Sequence, residues 1–143
     1  MTLFEKALSI ALAAHLGQIG HDGREYVRHV LRVAAAVSSA NEELIALLHD
    51  VPEKSNVTID QLRAEGFPFQ VVDAVDALTR RDQEDYLEFV KRAASNPSAL
   101  PVKIADLRDN LAATEGTEGA EKYERALQLL GIEPNPNVNS RSR

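Results

Sequence analysis

Within Leu44-Ile45-Ala46-Leu47-Leu48-His49-Asp50-Val51, an imidazole and a carboxylate follow five apolar residues. Burying an unpaired charge at such a place costs several kcal/mol, so Asp50 needs a partner. A cation is the partner that would also use His49. Adjacent side chains on a helix point about 100° apart, so the two can share an ion only if it sits over the helix edge and other helices supply further ligands. His29, amid Val27, Val30 and Val33, is one candidate, and Asp106, amid Val102, Ile104, Ala105 and Leu107, is another. Two imidazoles and two carboxylates would neutralise a divalent ion and leave positions of an octahedral ion such as Mn²⁺ for water and a substrate oxygen. Glu53, one turn after His49 and Asp50, falls on the face toward that ion, and Asn110 lies one turn after Asp106. Taken singly, each of these is more often a hydrogen-bonded core residue than a ligand. What argues for a site is that two segments each offer a ligand and a second polar group to one space.

The elements that must position these residues read as helices. Strict two-residue alternation is absent, Ala and Leu recur at three- and four-residue spacing, and aromatics are only 5% of the chain, which predicts an all-α domain of about seven to eight helices. The first is expected from Leu3 to about Leu16, with Thr2 and Glu5 forming a capping box, before Gly17 and Gly20 turn the chain. A second, from about Arg24 to Ser38, carries His29, and a third starts near Asn41 and carries the run Leu44 to Leu48. Pro52 removes a helical donor and disfavours the α conformation at Val51, so this helix should kink or end beside His49 and Asp50 and displace Glu53. Thr58 and Gln61 open a short helix that Gly66 ends, and the stripes Val71-Val72-Val75-Leu78 and Tyr86-Phe89-Val90-Ala93 mark two more. Asn96-Pro97 has the form of a helix start leading through about Ala113, with Pro101 able to reset it, and Glu121 to Leu130 closes the fold. The mixed-sign run Arg80 to Asp85 is expected to be a solvated connection, His21 a solvated loop residue, and Tyr86 and Tyr123 packing residues. Lys103 and Arg108 are expected on a solvated helix face, with Lys103 one turn before Asp106 and within reach of a phosphate.

Composition narrows the function classes. The 143 residues suit one domain, expected over 1–131, followed by a tail over 132–143 with two prolines, three asparagines and almost no apolar side chains. Sixteen Lys and Arg against 22 Asp and Glu give a net charge of −6 with no basic stripe, which disfavours nucleic acid as a partner. The absence of cysteine excludes thiolate zinc sites, cysteine nucleophiles and disulfide frameworks, and fits a cytoplasmic protein. The charged start Met1–Lys6 and the lack of any 18-residue apolar run argue against a signal peptide and a membrane span.

Taken in order, the segments Ala14-His15-Leu16-Gly17-Gln18, Gly23 and Tyr26 ahead of His29, Ala46-Leu47-Leu48-His49-Asp50-Val51-Pro52-Glu53, Leu78-Thr79, and Val102-Lys103-Ile104-Ala105-Asp106 with Asn110 resemble the HD-domain metal-dependent phosphohydrolases. Within that family they are most similar to the Rel/SpoT-type hydrolases of (p)ppGpp. The resemblance spans about Ala7 to Leu130. It implies a compact HD-domain fold, His29, His49, Asp50 and Asp106 as metal ligands, usually for Mn²⁺, and Asn110 as a contact to ribose or phosphate. It also implies a water activated near Glu53 and attacking phosphorus to release pyrophosphate from a nucleotide 3′ position, with a small-molecule nucleotide as partner. The family's acidic pair is Glu-Asp, whereas this chain has Glu53-Lys54. An ammonium at Lys54 can bind phosphate but cannot act as a base near its ordinary pKa of about 10.4. Glu53 and Lys54 are thus the expected catalytic pair, with Lys103 and Arg24 as further substrate contacts. A basic residue that contacts guanine in the family is matched here by Gly20, with His21 and Arg24 nearby. The alternative is a non-catalytic sensor that keeps the metal and Asn110 but has lost water activation.

Overall fold

A computed structural model describes residues 1–134 of the chain. Helix α1 (Leu3–Ala14) begins at the expected capping box, in which Thr2 Oγ1 accepts from the Glu5 N–H at 3.1 Å and the Glu5 carboxylate accepts from the Thr2 N–H at 2.8 Å. Then follow α2 (Tyr26–Ala35), α3 (Ala40–Leu48), α4 (Val51–Lys54), α5 (Ile59–Ala64), α6 (Phe69–Ala77), α7 (Tyr86–Ala94), α8 (Leu100–Thr114) and α9 (Ala120–Leu130). The all-α expectation holds, and among the described residues the one β feature is an isolated bridge between Ile19 and Glu25. Counting α3 and α4 as a single interrupted helix gives eight. No described helix is long and apolar enough to cross a membrane.

Helix α3 is the hub. Leu44, Ile45, Ala46, Leu47 and Leu48 are all buried, which is possible only because α1, α2, α6 and α8 pack around it. A smaller core of Val90, Leu107, Tyr123, Ala126 and Leu127 joins α7, α8 and α9. Helix α8 belongs to both: Val102 and Ala105 face the first core and Leu107 the second, and Asp106 lies between them in sequence.

Two boundaries differ from the sequence expectation, each for a local reason. Residues 18–26 close on themselves, with the Gly20 N–H donating to Arg24 O and the Tyr26 N–H to Gln18 O, both at 2.8 Å, so α2 starts at Tyr26 and leaves Arg24 in a loop. Asn96 does not cap α8. Its Oδ1 accepts from the Ser98 and Ala99 N–H groups at 3.0 and 3.1 Å, closing a separate turn, and the helix starts at Leu100 with Pro101 in its first turn. The run Arg80 to Asp85 is the solvated connection expected, exposed except at Glu84, and it is tied down as well: Glu84 pairs with Arg92 at 2.8 Å and its backbone carbonyl receives two bonds from Arg80. Of the segment expected as a tail, Ile132 packs half-buried on the smaller core, Arg108 donates to the Glu133 carbonyl at 2.9 Å, and residues 135–143 lie outside the described ones.

Candidate active site

Pro52 sets the geometry from which the site is built. Without a proline N–H to bond the Leu48 carbonyl, α3 stops at Leu48. His49 follows at φ −60°, ψ −31° and Asp50 at φ −102°, ψ −1°, before α4 restarts with the Lys54 N–H on Asp50 O at 3.0 Å. This break turns Asp50 so that its Oδ2 stands 3.0 Å from His49 Nε2, and the pair converges beyond a helix end rather than over a helix edge.

Two further helices complete the cluster. His29 on α2 puts Nε2 at 3.0 Å from Asp106 Oδ1 and 3.7 Å from Asp50 Oδ2, while His49 Nε2 is 3.3 Å from Asp106 Oδ1. One ligand atom from each of His29, His49, Asp50 and Asp106 lies within 4.8 Å of all the others. Both imidazoles are oriented from behind: His49 Nδ1 lies 2.6 Å from the Ala46 carbonyl oxygen and His29 Nδ1 2.6 Å from Asp109 Oδ2, acceptors that hold the ring proton on Nδ1 and turn Nε2 toward the carboxylates. Two carboxylates facing two imidazole Nε2 atoms are a donor set that fits a divalent cation.

The electrostatics agree with that fit. Burial pushes the His29 pKa down, but hydrogen bonds to Asp106 and Asp109 outweigh it and lift it to about 9. His49 is likewise held well above its ordinary value, burial being overcome by the Asp50 charge and the bond to Asp106. For Asp50 burial acts upward, yet the His49 charge and hydrogen bond bring it down to about 2. Asp106 is also low, with Lys103 and both histidines overcoming its burial. The site thus stabilises two negative charges and holds positive charge against them, which is what a metal ion would supply.

Further side chains engage both oxygens of Asp106 and one oxygen of Asp50. The Tyr26 hydroxyl donates to Asp50 Oδ2, Asn110 Nδ2 donates to Asp106 Oδ1 at 3.1 Å, and Lys103 Nζ reaches Asp106 Oδ2 at 3.3 Å. Lys103, expected on a solvated face, is only 4% exposed, with Nζ 4.5 Å from the centre of the Phe89 ring. Asp109 bridges outward through a bidentate pair with Arg32 at 2.8 and 3.1 Å. The sequence reading passed over Asp109, although its position one turn after Asp106 is a signal that it could share that helix face.

A cleft of about 240 Å³ opens beside the cluster. Glu53, Lys54, Lys103 and Asn110 all line it, so the break in the helix leaves Glu53 at the site, where its Oε1 accepts from the Arg80 N–H at 3.4 Å. Lys54 Nζ lies 4.9 Å from the centre of the Tyr26 ring. Arg24 is not among the lining residues; it stands exposed in the loop before α2. Residues expected only to pack or to face solvent do line the cleft: Tyr86, Tyr123, Arg80 and His21, whose Nε2 is 2.9 Å from the Tyr123 hydroxyl. Lys122 lines it as well, and nothing in the sequence distinguished it from other helix lysines.

No family model matches the chain. In sequence it is 27% identical over 145 aligned residues to a "Probable GTP pyrophosphokinase" of Mycobacterium leprae, covering 92% of this chain and 18% of that protein. It is 27% identical over 117 residues to a "Guanosine-3′,5′-bis(diphosphate) 3′-pyrophosphohydrolase" of Haemophilus influenzae, covering 71% of this chain and 17% of the relative. The chain therefore spans less than a fifth of the length of either. Among solved structures, one described as "A metazoan ortholog of SpoT hydrolyzes ppGpp and plays a role in starvation responses" superposes with a TM-score of 0.73 at 24% identity, covering 92% of this chain and 83% of that one. The chain is thus similar in sequence to part of each of these two proteins and shares the fold of that SpoT ortholog.

Proposed function

We propose, from this relation and from the cluster, that the chain is a Mn²⁺-dependent phosphohydrolase that cleaves guanosine 3′,5′-bis(diphosphate) to release pyrophosphate from the 3′ position. The observation that carries the reading is the convergence of His29, His49, Asp50 and Asp106 from separate elements, with ligand atoms within 4.8 Å of one another and a cleft at their side. Held by these four residues, the ion would supply Lewis acidity, acidifying water and drawing charge from the phosphoryl oxygens. Glu53 is the carboxylate of α4 that lines the cleft, and its role is to orient the attacking water and accept its proton. The water oxygen bonds to the phosphorus of the 3′-diphosphate, the bond from that phosphorus to the 3′ oxygen breaks, and the 3′ oxygen takes up a proton as guanosine diphosphate leaves. Lys54 and Lys103 offset negative charge on the leaving phosphates, and Asn110, fixed to Asp106, contacts ribose or phosphate.

His49→Ala and Asp106→Ala test the assignment. Each is expected to abolish Mn²⁺ uptake and pyrophosphate release while circular dichroism shows the helical content retained. Unchanged turnover in either variant would remove the metal from the reaction.

A further inference from the structure

The segment Ala14-His15-Leu16-Gly17-Gln18 gives no side chain to the His/Asp cluster or to the lining of the cleft, yet His15 is only 2% exposed. Its Nδ1 lies 2.8 Å from Gln18 Oε1, and its Nε2 is buried without a hydrogen-bond partner among the described residues. Gln18 Nε2 donates to the Ala14 carbonyl at 3.1 Å and, 36 residues away, to the Lys54 carbonyl at 2.7 Å. Two carbonyl acceptors fix the amide nitrogen on that side, so Oε1 is the atom that faces His15, and His15 carries its proton on Nδ1. Burial lowers the His15 pKa from its ordinary value, against the bond to Gln18, and keeps the ring neutral.

A buried acceptor left unpaired costs its desolvation, and an apolar side chain would fill the same space without that cost. The imidazole is therefore kept for what its other nitrogen does, which is to hold the Gln18 amide. The far end of this relay is α4, a single turn of four residues. One turn fixes several dihedrals for a single bond, here from the Lys54 N–H to Asp50 O at 3.0 Å, and is not stable by itself. The start of the turn is anchored by the fully buried Val51, whose carbonyl accepts from Ser55 Oγ at 2.6 Å. Its other end, where Glu53 and Lys54 stand exposed, is met from elsewhere in the chain by the Gln18 bond and by the longer one from the Arg80 N–H to Glu53 at 3.4 Å. Gln18 is itself fixed, its N–H donating to His15 O at 3.0 Å and its carbonyl accepting from the Tyr26 N–H at 2.8 Å.

We propose that Gln18, oriented by His15, is the positioning residue for the turn that carries Glu53, and that its bond to the Lys54 carbonyl sets where the Glu53 carboxylate stands relative to the His/Asp cluster. This rests on the reading of Glu53 as the group that orients the attacking water. A carboxylate that must meet a water held beside an ion is sensitive to small displacements, since about 1 Å of misplacement can cost about 100-fold in rate. His15 and Gln18 line no part of the cleft, so they act on the reaction only through α4.

Gln18→Met, which keeps the length without the donor, and His15→Leu, which removes Nδ1 together with the unpaired Nε2, test the assignment in the full chain with Mn²⁺. Both are expected to lower kcat for pyrophosphate release from guanosine 3′,5′-bis(diphosphate) by about 10- to 100-fold, with KM and Mn²⁺ affinity unchanged. His15→Leu should do so with an undiminished melting temperature, and His15→Asn, whose Nδ2 can donate in place of Nδ1, should keep the wild-type rate. Amide hydrogen exchange over residues 51–57 should be about fivefold faster in Gln18→Met and His15→Leu and unchanged in α2 and α8. Unaltered kcat in both variants, or a loss of rate that only follows a loss of Mn²⁺ affinity or of melting temperature, overturns the inference. If the wild type releases no pyrophosphate, the hydrolase reading fails alone and exchange decides the positioning: acceleration confined to 51–57 supports it, and none overturns it.

Discussion

Asp109 shows how a residue outside the ligand set governs it. Its carboxylate holds His29 Nδ1 at 2.6 Å and is in turn clamped by Arg32. Such supporting bonds are worth about 10- to 100-fold in metal affinity, so Asp109→Ala is expected to weaken Mn²⁺ binding by that factor in calorimetry, with little change in the far-ultraviolet spectrum. Undiminished affinity would show that packing alone orients His29. Protons compete with the ion for the same nitrogens. His29 has its folded pKa raised to about 9 from an ordinary 6.5, so its contribution to the stability of the metal-free protein is complete below pH 6.5 and is lost as pH rises through 9. Mn²⁺ affinity runs the opposite way, rising from pH 6.5 to 9. The melting temperature of the Mn²⁺-loaded protein minus that of the chelated one should therefore grow across that window, and a flat difference would contradict the assignment of His29. His29, His49, Asp50 and Asp106 were legible in the sequence because polar groups inside apolar runs need a reason to be there, and Glu53 and Asn110 because each stands one turn beyond one of them. The burial of Lys103, the bond from Asp109 to His29 and the place of Lys122 at the cleft were not, because helix lysines and aspartates look alike until neighbouring elements are in position.

At the scale of elements the informative residue is Pro52. The sequence predicted a break beside His49, and the structure shows what the break does: it aims two adjacent side chains at one point, which a continuous helix would hold apart. Pro52→Ala is expected to let α3 run on into α4 and to lower Mn²⁺ affinity by about tenfold, while the melting temperature of the metal-free protein does not fall, since alanine restores a helical donor. Unchanged affinity would mean that the packing of α1 and α8, not the proline, turns Asp50. The capping boxes at Thr2 and Thr58 were read correctly because their signal is confined to four residues. The start of α2 comes two residues later than expected because a loop closed by its own hydrogen bonds around Gly20 takes residues that helix periodicity would have claimed, and of the two starts open for α8 the turn closed by Asn96 leaves the one that Pro101 resets.

For the whole molecule, stability and site share one core. Leu48 is fully buried at the end of α3, immediately before His49. Leu48→Ala should cost about 2–5 kcal/mol in urea denaturation and weaken metal binding as well, because the cavity lies under the ligand pair. A large loss of stability with unaltered metal affinity would separate the core from the site. Acidic overall, the protein nevertheless brings Lys54, Arg80, Lys103 and Lys122 to the cleft beside the cluster, where an anionic ligand would dock. The measurement that bears most directly on the central claim is pyrophosphate release from guanosine 3′,5′-bis(diphosphate) by the wild-type chain, with Mn²⁺ and with chelator. Release that requires Mn²⁺ and stops with chelator is the predicted result, with Glu53 acting without a second carboxylate. No release, with Mn²⁺ bound at His29, His49, Asp50 and Asp106, would contradict it.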